Sequence, residues 1–254
     1  MKVGIALSGG GVRSFCQLGA LKALKEHGVV PELISGTSGG AVVGALYAAG
    51  LEPNEVLDIL LTTPIYRYVR PVLSRYGFLR IEKLASLYNL YLPKKTFESL
   101  PIKLVISATD INHGKTIYFT EGDLVRALLA SSCIPILFRP VEIDGRLMVD
   151  GGILNNMPVE PLMGNCDFII GIHSNPNNEQ FQISNIKKMI ERTFHLAIYN
   201  NVHERVKYCD LFIEPPALKV YGLFDFSKSK EIFEIGYNFT KNLLSQSPNI
   251  FEKT

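Results

Sequence analysis

Residues 34 to 50 read ISGTSGGAVVGALYAAG, a short predicted strand that turns through glycines into a helix of small residues. Gly36 and Gly40 flank Ser38 in the pattern Gly-x-Ser-x-Gly. Glycine permits a sharp turn at which a side chain would clash. Such a turn exposes the serine hydroxyl at the N-terminus of the next helix, where partial positive charge favours developing negative charge. Ser38 is therefore a candidate nucleophile.

The same pattern precedes this stretch in the chain. KVGIALSG at 2–9 predicts a short strand that ends in glycines, and VRSFCQLGALKALKEHG at 12–28 has the apolar spacing of a helix that stops at Gly28. Pro53 is predicted to begin the next helix, which extends through Leu61. Because strand, glycine turn and helix follow one another twice, the sequence predicts a parallel sheet covered by helices.

Downstream segments continue this alternation of strands and helices. The remaining predicted elements, in chain order, are a buried strand at 102–111, its hairpin partner at 115–122, a helix between Asp123 and Pro135, strands at 146–152 and 167–175, a long helix at 185–208, a strand at 211–215 and a C-terminal helix at 227–246. No linker interrupts them, so we expect one domain over residues 1–254, with a C-terminal helical region at about 184–254.

Residues 62–100 break the pattern, since aromatic and basic residues are interspersed there. We expect a helical insertion that packs its tyrosines into a core, because aromatic residues at helical spacing are usually buried. The alternative is a lid or a membrane-facing surface, because aromatic and cationic side chains together suit an interface with anionic lipid. The candidates for that surface are Tyr66, Tyr68, Tyr76 and Phe78 with Arg67, Arg70, Arg75 and Arg80.

Composition excludes several classes of protein. The chain has 254 residues, of which 47% are hydrophobic, so it is long enough and apolar enough to bury a core. Its net charge of +2 gives no reason to expect nucleic acid as a partner. The longest apolar run is far short of the ~20 residues that a membrane-spanning helix needs, and glycines come too early for a signal peptide. We therefore expect a cytoplasmic protein, soluble or bound at a membrane surface.

A second glycine-rich turn offers an anion-binding site. SGGGVRS at 8–14 places Gly9, Gly10 and Gly11 before a predicted helix, where successive backbone N–H groups can form an anion nest. A nucleotide phosphate loop is the rival interpretation, but no Lys-Ser or Lys-Thr follows the glycines. The dinucleotide pattern G-x-G-x-x-G fails as well, because from Gly9 its last position is Ser14. The turn is therefore a candidate oxyanion hole for the candidate serine.

The candidate base is Asp150, which follows the predicted strand RLMV and precedes Gly151 and Gly152. Because the carboxyl ends of parallel strands meet at one edge of a sheet, Asp150 can lie near Ser38 although 150 − 38 = 112 residues separate them. A turn aspartate without catalytic function is the alternative, since aspartate is common before glycine.

Five segments occur in an order that resembles one protein family. They are GIALSGGGVRSFCQLGALKALKEHG, ISGTSGGAVVGALYAAG, SATDINHGKTIYF, RALLASSCIPILFRPV and LMVDGGILNNMPV. Together they are similar to a bacterial member of the patatin-like phospholipase family over roughly residues 3–175. The combination of glycine nest, Gly-x-Ser-x-Gly and Asp-Gly-Gly in this order is highly specific.

The resemblance implies a three-layer α/β/α fold, a mostly parallel central sheet and hydrolysis of lipid acyl esters by a serine–aspartate dyad. Carried onto this chain, Ser38 is the nucleophile and Asp150 is the base. The other residues implied are oxyanion-hole amides at Gly9, Gly10 and Gly11, a structural Arg13 at the family's basic position, and supporting glycines at Gly36, Gly40, Gly151 and Gly152. Ser8 and Ser14 depart from the family, which often has a further glycine there. Neither a metal nor an organic cofactor is implied, and the four widely separated cysteines predict no zinc site or disulfide framework.

Two alternatives to this dyad hydrolase stay open. In a Ser-Asp-His triad an imidazole lies between serine and carboxylate. The histidines that follow the candidate base in the chain are His173, His195 and His203. Of these, His173 is the best candidate because it lies at the end of a predicted strand. The family resemblance instead favours the dyad. The second alternative is a non-catalytic lipid-binding protein on the same fold.

Overall fold

The computed structural model describes residues 1–63, 68, 70–72, 76–92, 95–223, 225–247 and 249–251. The strands are β1 (Val3–Leu7), β2 (Leu33–Thr37), β3 (Arg70–Pro71), β4 (Gly77–Arg80), β5 (Lys103–Asp110), β6 (Lys115–Phe119), β7 (Ile136–Phe138), β8 (Val141–Ile143), β9 (Arg146–Asp150), β10 (Phe168–Ile172) and β11 (Leu211–Ile213). The α-helices are α1 (Phe15–Glu26), α2 (Gly39–Ala48), α3 (Pro53–Thr62), α4 (Leu84–Tyr91), α5 (Leu124–Ser131), α6 (Ile186–His203) and α7 (Ser229–Gln246).

Eight strands in the described part of the chain form one central sheet, in the order β11-β10-β1-β2-β5-β9-β8 with β6 also paired to β5. The strands β11, β10, β1, β2 and β5 are parallel to one another. The strands β6 and β9 are antiparallel to β5, and β8 is antiparallel to β9. The predicted α/β class with a mostly parallel sheet is therefore confirmed.

The two faces of the sheet are buried under different layers. Along β1, Ile5 and Leu7 belong to a large core that includes residues of α1, α2, α3, α5 and α7. Ala6, which lies between them, belongs to a smaller core with Met157 and with Val202 of α6. Successive residues of a strand point to opposite faces of its sheet, so the sheet is the middle of three layers.

The residues that predicted helix starts lie at the N-termini of helices in the structure. The carboxylate of Asp123 accepts a hydrogen bond of 2.9 Å from the amide of Arg126, which caps α5. Pro53 is the first residue of α3, and Glu52 with Glu55 forms a capping box there. These caps satisfy amides that a helix N-terminus otherwise leaves without partners.

The helices α1 and α7 cross with their backbones in close approach. A Cβ atom at Gly19 of α1 would lie 2.1 Å from the carbonyl oxygen of Phe233, and one at Gly236 of α7 would lie 2.0 Å from that of Cys16. Any side chain at either glycine would force the helices apart. This contact anchors the C-terminal helix to the first helix, next to the glycine-rich turn at 8–14.

Strand β5 brings the ends of β2 and β9 together. Residues 106 and 107 of β5 pair with both β2 and β6, so β2 and β6 lie on opposite sides of β5. Residues 108–110 pair with both β6 and β9, so β9 lies on the same side of β5 as β2. Thr37 at the end of β2 is opposite Ser107, and Asp150 at the end of β9 is opposite Ala108. The carboxyl ends of β2 and β9 therefore face each other on this side of β5.

The structure differs from the predicted elements in three places. The strands β7 and β8 follow α5, where the sequence analysis predicts no strand. Residues 62–100 contain β3 and β4 as well as α4, and these strands form a second sheet with β7, so the predicted helical insertion is only partly helical. The helix predicted at 185–208 ends at His203, and a short 3₁₀ turn covers Val206–Tyr208. Of the predicted membrane-facing residues, Tyr66, Arg67 and Arg75 lie outside the described residues.

Both terminal regions join the same central layers, since β11 extends the main sheet and α7 packs on α1. The division of the chain as one domain over residues 1–254 stays a prediction. Within the ranges given above, every helix is too short or too polar to span a lipid bilayer.

Candidate active site

Ser38 lies on a strained turn between β2 and α2. Its backbone has φ +53° and ψ −123°, a conformation that residues other than glycine rarely adopt. The flanking glycines allow the strand and the helix to approach closely. A Cβ atom at Gly36 would lie 2.8 Å from the carbonyl oxygen of Gly40, and one at Gly40 would lie 2.5 Å from that of Leu7. The turn therefore requires small residues on both sides of the serine.

The hydroxyl of Ser38 contacts the carboxylate of Asp150 directly. Its Oγ donates a hydrogen bond of 2.6 Å to Oδ2 of Asp150. The second carboxylate oxygen, Oδ1, accepts a hydrogen bond of 2.8 Å from the amide of Gly152. The sequence analysis expected Asp150 to arrive at the edge shared by parallel strand ends. The structure corrects this route, because β9 is antiparallel to β5 and approaches Ser38 from the opposite direction.

Burial sets the proton affinity of Asp150. The residue is only 2% exposed. Removal from water raises its pKa from 3.8 to about 6, while the hydrogen bonds from Ser38 and from the Gly152 amide act in the opposite direction. A carboxylate with this pKa is ionised at neutral pH and is a stronger base than an ordinary aspartate.

The turn after Asp150 is packed against β5. A Cβ atom at Gly151 would lie 2.6 Å from the carbonyl oxygen of Ser107, and one at Gly152 would lie 2.8 Å from Oδ1 of Asn156. Glycine is thus the residue that fits at both positions, and the amide of Gly152 stays close enough to hold the carboxylate. On the serine side, the Ser38 amide donates a hydrogen bond of 2.7 Å to Oγ of Ser131 at the end of α5.

Of the three glycine amides that the sequence predicts as an oxyanion hole, one donates a hydrogen bond within the protein and two donate none to the described residues. The amide of Gly9 donates a hydrogen bond of 3.1 Å to the carbonyl of Asn156, so it is not available to a substrate. Neither the Gly10 nor the Gly11 amide donates a hydrogen bond to any described residue. Both glycines line the pocket that contains Ser38. Gly11 also needs to be glycine, because its φ is +55° and a Cβ atom would lie 2.4 Å from the carbonyl oxygen of Leu223.

Two asparagines hold the peptide plane of this loop. Nδ2 of Asn156 donates to the carbonyl oxygen of Gly9 at 3.2 Å, and Nδ2 of Asn175 donates to the same oxygen. The peptide bond is trans, so its C=O and N–H groups point in opposite directions. Fixing the Gly9 carbonyl therefore fixes the direction of the Gly10 amide. Both asparagines line the Ser38 pocket, and the sequence analysis missed them, although each closely follows a strand end.

Arg13 has a structural contact. Its Nε and Nη2 atoms donate hydrogen bonds of 2.9 and 2.5 Å to the carbonyl oxygen of Tyr221. The guanidinium thereby ties the glycine-rich turn to the segment that leads into α7. Ser8 is one of the two positions at which this chain departs from the family pattern. Its Oγ accepts a hydrogen bond of 3.0 Å from the amide of Ser174, so serine has a role there that glycine could not fill.

The three histidines that follow Asp150 occupy different environments. His173 is fully buried, its Nδ1 lies 2.6 Å from Oε1 of Glu214, and it is not among the residues that line the Ser38 pocket. His203 is exposed on α6. His195, also on α6, is buried and lines the Ser38 pocket. His173, which its strand position favoured, therefore does not line the Ser38 pocket, whereas His195 does.

Two cavities meet at Ser38. The pocket around Ser38 and Asp150 has a volume of about 20 Å³. An adjoining apolar cavity of about 360 Å³ shares Ser38 and Gly11 with it and extends under α4 and the second sheet. Its apolar wall comprises Val42, Leu60, Leu79, Ile81, Leu84, Leu87, Leu137 and Phe138. Among the described residues, no group of three or more histidine, cysteine, aspartate or glutamate side chains could hold a metal ion.

Comparison with known proteins relates the chain to one protein family. A family model described as "Patatin-like phospholipase" matches residues 5–163. An "Uncharacterized NTE family protein" of Mycobacterium tuberculosis is 38% identical over an alignment of 177 positions, which covers 68% of this chain and 49% of that protein. "Lysophospholipase nte1" of Aspergillus niger is 27% identical over an alignment of 286 positions, which covers 96% of this chain and 18% of that protein. The chain thus spans about half the length of the mycobacterial relative or less than a fifth of the fungal one.

A likeness in fold extends further along the chain. The crystal structure of VipD from Legionella pneumophila matches with a TM-score of 0.56 at 15% sequence identity, over 96% of this chain and 67% of that chain. At this identity the match concerns the fold alone.

Proposed function

Because the chain belongs to the patatin-like phospholipase family, we propose that it is a serine hydrolase of lipid acyl esters. The observation that carries the proposal is the hydrogen bond of 2.6 Å from Ser38 Oγ to Asp150 Oδ2 on a strained turn. A serine hydroxyl is a weak nucleophile until a base removes its proton. Asp150 is such a base, in contact with the hydroxyl and without a histidine between them.

The acylation step follows from the positions of these groups. Ser38 Oγ attacks the carbonyl carbon of the ester while its proton passes to Asp150. The carbonyl oxygen becomes an oxyanion, and the amides of Gly10 and Gly11 donate to it. The C–O bond to the alcohol then breaks, and the proton on Asp150 passes to the leaving alkoxide. An acyl-enzyme on Ser38 remains.

Deacylation uses the same groups with water in place of the alcohol. Asp150 takes a proton from a water molecule as that water attacks the acyl carbonyl, and the glycine amides again stabilise the oxyanion. The bond to Ser38 Oγ breaks, the proton returns to the serine, and a fatty acid leaves. Each proton that Asp150 accepts is returned within the same half-reaction, so its pKa near 6 suits both directions.

The apolar cavity of about 360 Å³ is suited to the acyl chain, because it begins at Ser38 and is lined mostly by aliphatic and aromatic side chains. The pocket of about 20 Å³ around Asp150 is too small for such a chain. The fungal relatives are named lysophospholipases. A lysophospholipid, with its single acyl chain, is therefore the substrate that we propose.

The wall of this cavity also offers a surface for peripheral contact with a membrane. In the second sheet, Leu79 and Phe138 line the cavity, and they pair with each other across β4 and β7. Their neighbours Phe78 and Ile136 are 68% and 64% exposed. Exposed apolar side chains in the strands that form the cavity wall can enter a lipid surface, which would bring the cavity close to the lipid substrate.

A fluorophosphonate probe tests the proposed function, since only an activated serine reacts with it. Wild-type protein is expected to be labelled at Ser38 and to hydrolyse a lysophospholipid. Ser38→Ala is expected to lose both properties, with a loss of several orders of magnitude in rate. Ser86→Ala, at an exposed serine of α4, is the matched control and should behave like wild type. Folded wild-type protein that is neither labelled nor active would instead indicate a non-catalytic lipid-binding protein.

A further inference from the structure

His195 presents an unused hydrogen-bonding atom beside the candidate active site. The residue is 7% exposed, it lines the pocket of Ser38 and Asp150, and its Nε2 atom has no hydrogen-bond partner among the described residues. Leaving a polar atom buried without a partner is unfavourable, so such an atom is usually satisfied by water or by a ligand. The proposed reaction gives His195 no task, because Ser38 contacts Asp150 directly.

The contact with Arg192 favours one tautomer of the His195 ring. Nη1 of Arg192 lies 3.5 Å from Nδ1 of His195, at the long limit of a hydrogen bond. A guanidinium group can only donate, so Nδ1 must be the acceptor. In a neutral imidazole the proton is then on Nε2, which makes the unpartnered atom a donor. The ligand that satisfies it must offer an acceptor oxygen.

The charges around His195 favour an acceptor that is negative. Burial, together with the nearby charges of Arg13 and Arg192, lowers the pKa of His195 to about 4, although the Asn175 backbone acts more weakly in the opposite direction. The imidazole is therefore neutral at physiological pH while two guanidinium groups lie near it. A recess of about 10 Å³ lies on this side, and the described residues that line it include no carboxylate; they are Arg13, Asn178, Phe181, Arg192, His195 and Leu223. An anionic oxygen would be attracted to this recess and a cation would be repelled.

When the acyl chain of the substrate lies in the apolar cavity, its alcohol portion lies at this recess. The acyl chain occupies the apolar cavity, which His195 does not line. The alcohol portion leaves Ser38 on the other side, where the pockets of about 20 and 10 Å³ share His195 and Leu223. A recess of this size admits about one oxygen atom, since roughly 10–15 Å³ is needed for a water molecule. The rest of a head group would lie at the mouth of the recess, near Arg192.

On the basis of the proposed function, we propose that His195 and Arg192 form a subsite for a phosphodiester oxygen on the alcohol portion of the lipid. Nε2–H of His195 donates to that oxygen, and the guanidinium of Arg192 both fixes the imidazole tautomer and supplies positive charge. The subsite makes the enzyme selective for phosphate-bearing esters over neutral glycerides of the same acyl chain.

Paired substrates test this subsite. The substrates are 1-octanoyl lysophosphatidylcholine and 1-octanoylglycerol, both below their micelle concentrations, and the readout is the ratio of their kcat/KM values. Removing a hydrogen bond to a charged group should lower that ratio about ten- to a hundred-fold in His195→Leu. Arg192→Gln should lower the ratio in the same direction. His195→Gln should recover part of it, because its amide nitrogen can donate.

His203→Leu is the matched control, because His203 lies on the same helix and stacks on the same Tyr199 ring as His195 does. It should keep the wild-type ratio. An unchanged ratio in both His195→Leu and Arg192→Gln overturns the subsite. Equal losses on the two substrates overturn it as well, because they would assign His195 to a step common to all esters or to the fold.

Direct binding separates failure of the subsite from failure of the proposed function. Calorimetric titration of wild-type protein with an ether-linked lysophosphatidylcholine, which has no ester to cleave, measures the affinity without turnover. The dissociation constant should rise about ten-fold or more in His195→Leu and in Arg192→Gln. If wild type cleaves no ester but shows this pattern, the hydrolase proposal fails and the subsite stands. If both variants bind as wild type does, the subsite is overturned whatever the catalytic result.

Discussion

The hydroxyl of Ser38 and the carboxylate of Asp150 are 112 residues apart in the chain and are joined by a hydrogen bond of 2.6 Å. Their meeting depends on the opposite directions of β2 and β9 along one side of β5. If β9 were parallel to β5, its carboxyl end would point away from Thr37 instead of toward it. The candidate dyad is thus a consequence of one antiparallel strand in a mostly parallel sheet.

Because the backbone at Ser38 is strained, we expect a glycine variant at this position to be more stable than an alanine variant. Its positive φ suits glycine better than alanine. Ser38→Gly should therefore unfold with a free energy about 1 kcal/mol higher than Ser38→Ala, although both lose the hydrogen bond to Asp150. Urea titration of both variants measures this difference. Ser86 in α4 is the control, because there the glycine variant should be about 1 kcal/mol less stable than the alanine variant. The same order at both positions would contradict the strained turn.

Substitutions of Asp150 and His173 should have opposite effects on turnover. Asp150→Asn removes the base that contacts the serine, so kcat on a short-chain ester should fall by a factor of about a thousand or more. His173→Gln should keep most of the turnover, because His173 contacts Glu214 and does not line the Ser38 pocket. Steady-state kinetics on folded protein compare the two. A large loss in His173→Gln with a normal melting temperature would favour the triad.

The pKa of Asp150 predicts the acid limb of the activity profile. Burial raises that pKa to about 6, and only the ionised carboxylate can accept a proton. The value of kcat/KM should therefore rise with pH and level off above about pH 6, with a single ionisation on this limb. A limb centred near pH 4, the range of an exposed carboxylate, would indicate that the buried aspartate is not the base.

The same ionisation links stability to pH. The folded pKa of Asp150, about 6, is higher than its unfolded value of 3.8, so the folded state binds the proton more tightly. Its stabilising contribution is complete below pH 3.8 and is lost as the pH rises to about 6, by roughly 3 kcal/mol for a shift of this size. Asp150→Asn should therefore be more stable relative to wild type at pH 8 than at pH 4. Urea titrations at both pH values measure the difference, and a constant difference would contradict the buried charge.

The asparagine contacts to Gly9 predict a catalytic effect without contact to the substrate. Asn175→Leu removes one donor from the Gly9 carbonyl and should let the Gly10 amide turn away from the oxyanion. We expect kcat to fall about ten-fold with little change in KM, since the interaction strengthens in the transition state. Asn165→Leu is the control, because its Nδ2 also donates to a backbone carbonyl but at an exposed site. A loss of stability with normal kcat would assign Asn175 to the fold alone.

The exposed apolar residues of the second sheet predict binding to vesicles. Phe78→Ser should reduce sedimentation with anionic vesicles at low salt, because Phe78 is 68% exposed beside the cavity wall. Val30→Ser is the control, since Val30 is 69% exposed but precedes the amino end of β2, whereas Ser38 follows the carboxyl end of that strand. Equal binding of wild type to neutral and anionic vesicles would count against the basic and aromatic surface that the sequence suggested.

Local features of the chain could be predicted from the sequence because their causes are local. Gly36 and Gly40 mark the turn at Ser38, since only small residues permit a strand and a helix to approach so closely. Asp123 and Pro53 mark helix starts, since a cap or a fixed φ acts within one turn. The alternation of such elements then indicates a mostly parallel sheet, and the order of three motifs indicates the family.

Relations between distant segments required the tertiary structure. The antiparallel direction of β9 depends on its pairing with β5, which no local pattern in RLMVD reveals. The loss of Gly9 as a free donor depends on the carbonyl of Asn156, and the fixed direction of Gly10 depends on the side chain of Asn175. The sequence does not distinguish His195 from the other histidines that follow Asp150, and it lines the Ser38 pocket only because of how α6 packs. The sequence thus determined which residues can turn, cap and react, whereas the three-dimensional packing decided which of them meet, because strand direction and side-chain contacts are set between segments far apart in the chain.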